Sequence, residues 1–221
     1  NVDDQFTGLG QRHIAGHVGG QDQIGGIPQE VILRQRLGIG NVQCRAGQFA
    51  GLVGTEGGKV NFGRPWTSRP TAMRIWCKYE TGLINILNNN NLGVSKNDYD
   101  RAQVKVAIGT WDYKKYGGSK ESPVQINTTD ESTFVDYYTD PSTIANGDVI
   151  IYKEGYSINK GELITADTTG WIEYVIPLEY HNLNAYPTHI VVSCAASQFG
   201  DYFTGYDKTK LWIDAVELIY E

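Results

Sequence analysis

The clearest alternation of apolar and polar positions lies near the C-terminal end of the chain, in residues 211–220. Alternate residues fall into two sets: Trp212, Asp214, Val216, Leu218 and Tyr220 on one side, and Leu211, Ile213, Ala215, Glu217 and Ile219 on the other. A period of two predicts a β-strand. Because both sets are mainly apolar, we expect both faces to be covered and the strand to lie inside a sheet rather than at its edge.

Seven earlier segments also have the pattern of strands. They are residues 30–36, 59–62, 71–81, 101–111, 148–153, 171–180 and 188–196. In two of them the alternation is regular enough to predict one buried and one solvated face: Met73 and Ile75 alternate with Arg74 and Trp76, and Val104 and Val106 alternate with polar Gln103 and Lys105. No long segment has helical periodicity, so an all-β chain is predicted.

The segments between the strands predict loops. Residues 1–28 are rich in Gly, Gln and Asp, residues 85–97 are rich in Asn, and residues 112–118 combine Tyr, Lys and Gly. The chain has no internal repeat and no linker. These features predict one domain over residues 1–221, an antiparallel β-sandwich of the jelly-roll type with a loop-rich N-terminal segment at 1–28.

Composition narrows the classes of partner. The chain has a net charge of −6 and no cluster of Lys and Arg longer than Lys114-Lys115, so nucleic acid is not an expected partner. No run of about 20 apolar residues predicts a membrane-spanning helix. Cys44, Cys77 and Cys194 lie far apart and form no CxxC pair, which favours free thiols, with a disulfide as the alternative.

Two blocks of sequence are distinctive. The first runs from Gly47 to Gly51 and then through the Asn61–Met73 segment NFGRPWTSRPTAM; the second runs from Phe199 to Gly205 (FGDYFTG) and then through the Leu211–Leu218 segment LWIDAVEL. In this order they resemble a known family, the putative carbohydrate metabolism domain. The resemblance covers roughly residues 40–221 and differs at Ala215, where the family usually has an acidic residue.

This resemblance implies a jelly roll like those of galactose-binding domains and carbohydrate-binding modules. It also implies an extracytoplasmic protein of gut anaerobes, at the cell surface, associated with the outer membrane or secreted, with any lipid anchor lying outside this chain. The family is related to glycoside hydrolases, so the expected ligand is a polysaccharide or oligosaccharide.

A polysaccharide site needs flat apolar rings for the C–H faces of sugars, and polar groups for their hydroxyls. The best cluster of such residues is Trp111, Asp112, Tyr113 and Tyr116, which follows a predicted strand. The loop Asn88–Asn91 is a source of polar partners. Trp66 is a second ring for stacking, although it stands in a turn that is shared with the family. For each single ring, the alternative is a packing role in the core.

Hydrolysis of a glycoside needs two carboxylates that face each other across a cleft. The carboxylates on predicted strands are Glu173, Glu179, Asp214 and Glu217. No pair of them forms a recognisable motif, so no catalytic residue is assigned.

Asp214 also suggests a metal site, because a carboxylate within an apolar strand needs donors or a cation. Together with an N-terminal acid, Asp3, Asp4 or Asp22, it would supply oxygen ligands for a structural Ca²⁺. No cofactor is required by the sequence.

The sequence therefore predicts a non-catalytic, extracytoplasmic module that captures glycans. Two alternatives remain open: a glycoside hydrolase that acts on a polysaccharide, and a structural or adhesive surface protein without a glycan site.

Overall fold

A computed structural model describes residues 30–34, 48–49, 58–88 and 90–220 of the chain. Strands dominate these ranges. They are β1 (Glu30–Arg34), β2 (Gln48–Phe49), β3 (Gly58–Phe62), β4 (Arg64–Pro65), β5 (Ala72–Glu80), β6 (Ala102–Gly109), β7 (Val124–Asn127), β8 (Thr143–Tyr152), β9 (Gly155–Ile158), β10 (Ile164–Thr165), β11 (Ile172–Pro177), β12 (Glu179–Tyr180), β13 (His189–Ala195) and β14 (Lys210–Ile219). One α-helical turn, α1 (Tyr113–Tyr116), and three 3₁₀ turns at Asn90–Leu92, Glu131–Thr133 and Gly200–Tyr202 complete the described part.

The strands form three sheets. The four-stranded sheet has the order β1-β14-β5-β11, and the seven-stranded sheet has the order β10-β9-β8-β6-β13-β4, with β12 pairing with β8. A smaller sheet has the order β2-β3-β7. Pairing is antiparallel except between β1 and β14, which run parallel. The predicted all-β fold of antiparallel sheets is confirmed, and the jelly-roll connectivity stays a prediction.

The main core lies between the four-stranded and seven-stranded sheets. The inward-facing side chains of β5 and β6 are at most 1% exposed to solvent. They are Met73, Ile75, Cys77 and Tyr79 of β5 and Ala102, Val104, Val106 and Ile108 of β6. Each large apolar side chain that is buried in this way contributes about 1.5–3 kcal/mol to folding. The predicted alternation of β5 is confirmed, since Arg74, Trp76 and Lys78 point away from this core.

The terminal strand β14 is an inner strand between β1 and β5, as predicted. The predicted division of its faces is wrong beyond Asp214. Asp214 pairs with Trp76 and Glu217 pairs with Arg74, so three residues of β14 advance against two of β5. Ala215 has a positive φ of 50° in this bulge. The extra residue turns Val216 and Leu218 towards the core that Leu211 and Ile213 already face.

Residues 110–140 cover the outer side of the seven-stranded sheet. Ala107 and Val191 lie on that side, and Trp111, Val124 and Tyr137 pack over them as a second core. The solvated face predicted for β6 is therefore wrong at Ala107, which is fully buried, and at Gln103, which is 9% exposed. The predicted loop at 112–118 contains the helical turn α1, which Asp112 caps at its start and Gly117 caps at its end.

Two more predictions change in detail. The run 171–180 was expected to be one strand, but it breaks at Leu178, so β11 joins the four-stranded sheet and β12 joins the seven-stranded sheet. Cys77 and Cys194 form no disulfide among the described residues, in agreement with the prediction, and Cys44 lies outside those residues. The loop-rich segment 1–28 also lies outside them. No helix in the described ranges is long and apolar enough to cross a membrane.

Candidate functional site

Trp111, the centre of the predicted glycan site, is buried. Its side chain is 2% exposed, and its ring packs edge to face against Tyr137 with the centroids 5.6 Å apart. The indole N–H donates to Asp140 Oδ1 at 3.2 Å. Because neither face of the ring reaches solvent, Trp111 offers no platform for a sugar in this structure. The packing alternative describes its role.

The neighbours of Trp111 are engaged in local structure. The hydroxyl of Tyr116 donates to Asp140 Oδ2 at 2.7 Å, so Trp111 and Tyr116 share one carboxylate. Asp112 Oδ1 accepts from the backbone N–H of Lys114 at 3.0 Å and caps α1. Tyr113 begins this helical turn and is half-buried. The structure brings the four residues together around a helix cap.

Trp66 is half-buried against the main core. Its backbone N–H donates to the carbonyl of Thr188 at 2.8 Å, and its indole nitrogen is buried with no hydrogen-bond partner in the described part of the chain. The ring therefore packs beneath the turn that carries it.

Three of the four strand carboxylates lie on the outer face of the four-stranded sheet. Glu173 and Glu217 both pair with Arg74, at 3.2 and 3.1 Å, and Asp214 Oδ1 accepts from the backbone N–H of Ala215 at 2.8 Å. Glu179 is on β12 in the other sheet. Within the described residues, no group of three or more His, Cys, Asp or Glu is placed to hold a metal ion. Asp3, Asp4 and Asp22 lie outside those residues, so the Ca²⁺ site with Asp214 stays a prediction.

An open cleft of about 470 Å³ lies elsewhere, at one end of the sandwich, where three loops meet. Its lining combines amides, carboxylates and hydroxyls with two aromatic residues, and the surface that it opens to solvent is mostly polar. These residues are Asn88, Asn91, Thr128, Glu131, Asp201, Tyr202 and Phe203. The volume is in the range of small-molecule sites, and the mixture of polar groups and rings suits a sugar.

The first wall of the cleft is the 3₁₀ turn Gly200–Tyr202 and the residue after it, Phe203. Phe203 adopts a left-handed conformation with φ 53°, which is uncommon for a residue with a side chain. Backbone bonds hold it there: Phe203 N–H donates to the Gly200 carbonyl at 2.9 Å, and Thr204 N–H donates to the Phe199 carbonyl at 3.1 Å. This turn presents three consecutive residues, 201–203, to the cleft.

The second wall is the Asn-rich loop, which is joined directly to the first. Ile86 and Gly205 exchange two backbone hydrogen bonds, at 2.9 and 3.1 Å, and the hydroxyl of Thr204 accepts from the N–H of Asn88 at 3.1 Å. The prediction that the Asn88–Asn91 loop supplies polar groups to a site is consistent with this position, although the other residues of the predicted site do not line the cleft.

The third wall is the loop after β7. Asp130 caps its short turn by accepting from Ser132 N–H at 3.1 Å, and Glu131 follows directly. The rings of Phe134 and Tyr202 pack edge to face with centroids 5.1 Å apart, which connects this wall to the first.

Charge in the cleft is negative. Burial raises the pKa of Asp201, and the positive charge of Lys105 partly opposes that rise. The side chain of Asp201 remains exposed to solvent, so protein atoms surround the carboxylate but leave it accessible to a ligand. The pKa of Tyr202 is raised first by burial and then by the negative charges of Glu131 and Asp201. Both carboxylates therefore act on the same ring.

Asp201 lies in the 3₁₀ turn Gly200–Tyr202, and its carboxylate accepts no hydrogen bond within the described residues. Only its position in the FGDYFTG block that resembles the family pointed to a role beyond the turn. Glu131 had no such signal, since it lies in a Ser- and Thr-rich segment with no motif.

The fold and the cleft define a β-sandwich domain with a polar, aromatic-walled groove. Residues 40–219 match the sequence model of the putative carbohydrate metabolism domain, and the chain belongs to this family. No curated protein matches the chain.

Two solved structures have a similar fold. One is a putative glycoside hydrolase from Bacteroides thetaiotaomicron, with 19% identity and a TM-score of 0.49 over 73% of this chain and 41% of that one. The other is a putative glycoside hydrolase from Bacteroides vulgatus, with 18% identity and a TM-score of 0.45 over 73% of this chain and 56% of that one. The chain spans about half the length of these two proteins.

Proposed function

We propose that this protein binds carbohydrate in the cleft between Asn88, Glu131 and Asp201, as an extracytoplasmic module for glycan capture. The observation that carries the proposal is the lining of the cleft, which sets carboxylates and amides beside aromatic rings. Carboxylates accept hydrogen bonds from sugar hydroxyls, amides both donate and accept, and rings cover the C–H face of a sugar. Membership of a carbohydrate-related family supports this choice of ligand.

The walls of the cleft are held in place before any ligand arrives. The backbone bonds between Ile86 and Gly205 and the packing of Phe134 on Tyr202 connect all three loops. A site that is already ordered loses less conformational entropy on binding, which favours affinity for a flexible oligosaccharide.

Hydrolysis of a glycoside is the second candidate function. Glu131 and Asp201 line one cleft from opposite loops, and burial raises the pKa of Asp201. A carboxyl group with a raised pKa that faces a second carboxyl group across a cleft is the usual arrangement for a general acid and its partner. In this reading Asp201 protonates the leaving oxygen, and Glu131 acts as the nucleophile or as the base that activates water.

Affinity gel electrophoresis and a reducing-end assay on the same polysaccharides distinguish the two functions. For a binding module, we expect retardation of the wild-type protein, weaker retardation of Asp201→Asn, and no new reducing ends. For a hydrolase, new reducing ends appear with the wild type and are lost in both Glu131→Gln and Asp201→Asn. Asp167→Asn is the control, because Asp167 is an exposed carboxylate outside the cleft whose bonds to Thr169 an amide oxygen also accepts. If the wild type shows neither retardation nor cleavage, the result would favour a structural or adhesive surface protein.

A further inference from the structure

The outer face of the four-stranded sheet carries three of the five tryptophans of the chain. Trp76 on β5 is 37% exposed, and Trp171, directly before β11, is 39% exposed. Trp212 on β14 is half-buried and points to the same side, because its neighbours Leu211 and Ile213 are buried in the core. We call these three residues the tryptophan face. It lies outside the cleft described above.

The strand register fixes the layout of this face. Trp212 is opposite Lys78, and Trp76 is opposite Glu173 on one side and Asp214 on the other. Because Ile172 is opposite Cys77, the register places Trp171 beside Lys78 on the side away from Trp212. Two strand spacings, roughly 10 Å, thus separate Trp171 from Trp212. Trp76 is the diagonal neighbour of both, and diagonal neighbours on adjacent strands have Cα atoms about 7–8 Å apart.

Charged side chains alternate with these rings, and most are paired with each other. Arg74 bridges Glu173 and Glu217, and the Nζ of Lys78 lies 3.3 Å from Glu80 and 4.7 Å from the centre of the Trp212 ring. On this face, each apolar ring therefore has polar neighbours on adjacent strands.

This alternation indicates the kind of partner. Lys, Glu and Asp are depleted at the centre of a protein interface, and here Lys78 lies between Trp171 and Trp212. A polysaccharide chain has the matching pattern, since each sugar ring has an apolar C–H face with hydroxyls around its rim. Roughly 10 Å between the outer tryptophans is about the length of two sugar rings in an extended chain.

We propose that the tryptophan face is a second binding surface, which takes an extended stretch of polysaccharide on Trp76, Trp171 and Trp212. The inference rests on the proposed carbohydrate function, but it concerns a different surface and a longer ligand. The cleft binds a short oligosaccharide between loops, whereas the tryptophan face binds an extended polysaccharide chain along the sheet. A ligand that meets both surfaces gains by avidity.

The test uses affinity gels that contain hydroxyethylcellulose, arabinoxylan, galactomannan or chondroitin sulfate, together with short oligosaccharides from the same polymers in titration calorimetry. We expect the double variant Trp76→Ala/Trp171→Ala to bind the polymer that retards the wild type at least about tenfold more weakly, as expected for loss of stacking rings. Its affinity for oligosaccharides of two or three units stays within about twofold of the wild type, since these occupy the cleft. Tyr186→Ala is the matched control, because Tyr186 is an aromatic residue that is 86% exposed and lies outside the face.

Further measurements keep the two proposals separate. Asp201→Asn weakens binding of short oligosaccharides, and it leaves the loss caused by the tryptophan substitutions in place when the two are combined. Addition of the bound polymer to the wild type shifts tryptophan fluorescence to shorter wavelength, and the double variant loses this shift. Equal retardation of the double variant and the wild type overturns the tryptophan face and leaves the cleft standing. A dimer that the substitutions dissociate, or no retardation of the wild type by any of the four polymers, also overturns it.

Discussion

Asp100 accepts a hydrogen bond from the hydroxyl of Ser197 at 2.9 Å, although 97 residues separate the two along the chain. Both residues are 1% exposed. The same carboxylate accepts from the N–H of Tyr206 at 2.9 Å and from the hydroxyl of Thr209 at 3.0 Å. Ser197 precedes the turn that carries Asp201, and Tyr206 and Thr209 follow it, so one buried carboxylate fixes both ends of the first wall of the cleft.

We expect Asp100→Ala to lower the free energy of unfolding by about 2–4 kcal/mol, because the buried donors of Ser197, Tyr206 and Thr209 lose their acceptor. Urea unfolding measures the loss. Binding in the cleft should weaken too, since the turn at 200–202 loses its anchors. Asp167→Ala removes an exposed carboxylate and serves as the control. A variant with the stability of the wild type would contradict the role given to Asp100.

Stability should also depend on pH through Asp100. Burial raises its pKa above the ordinary value of 3.8, and its hydrogen bonds to Tyr206, Arg101, Ser197 and Thr209 only partly oppose this. The folded state therefore holds the proton more tightly than the unfolded state does. The part of its contribution that depends on protonation is fully present below pH 3.8 and is lost as pH rises through its raised pKa, whereas the hydrogen bonds to the carboxylate remain. In urea titrations at several pH values, the gap between wild type and Asp100→Ala should narrow as pH rises through that window.

Trp111→Ala should lower the free energy of unfolding by about 3–5 kcal/mol, because it opens a cavity beside Tyr137 and removes the donor to Asp140. This differs from the prediction that Trp111 is a ring for stacking on sugar, whose removal would affect binding and not stability. Thermal unfolding decides between the two. Trp76→Ala, at a ring that is 37% exposed, is the comparison, and it should melt close to the wild type. A small effect of Trp111→Ala would place its ring outside the core.

Ala215→Gly should raise the free energy of unfolding by about 0.5–1 kcal/mol, because glycine adopts the positive φ of the bulge without the steric cost that a Cβ brings. Ala215→Val should lower it, since a β-branched residue is strained in that conformation. Denaturant unfolding of both variants gives the comparison. If glycine were the less stable of the pair, the bulge would not have the geometry described.

Asp214→Ala should cost about 1 kcal/mol of stability, because the carboxylate accepts from the N–H of Ala215 within the bulge. Asp214→Asn keeps an oxygen at that position and should cost less. Melting with EDTA and with added Ca²⁺ tests the predicted calcium site: a rise in melting temperature with Ca²⁺ that Asp214→Asn abolishes would support it. A loss with Asn equal to that with Ala would show that the charge matters more than the hydrogen bond.

The sandwich could be predicted because period-two alternation is a property of each strand alone. Met73 and Arg74 face opposite sides of β5, so Met73 is apolar and buried and Arg74 is polar. The bulge at Ala215 could not be predicted in this way. Its sequence continues the alternation without a break, and the extra residue is evident only in the register against β5.

The site was harder to predict because it depends on which loops meet. The position of Trp111 at a strand end predicts an exposed ring. Val124 and Tyr137, which are more distant in the chain, cover it. Asp201 reads locally as a turn residue. It becomes a cleft residue only because loops that contain Asn88 and Glu131 come from two other parts of the chain. Of the residues predicted for the site, Asn88 and Asn91 line the cleft.

The position of β14 has a consequence for biosynthesis. Its ten residues lie between β1 and β5, so a strand that is made after both of its neighbours fills the middle of the sheet and not the rim. A nascent chain that has emerged as far as Thr209 would hold β1 and β5 apart with a strand-wide gap. Stable folding must therefore wait for the final residues of β14, and a premature stop codon ahead of Lys210 should yield a product that proteases remove.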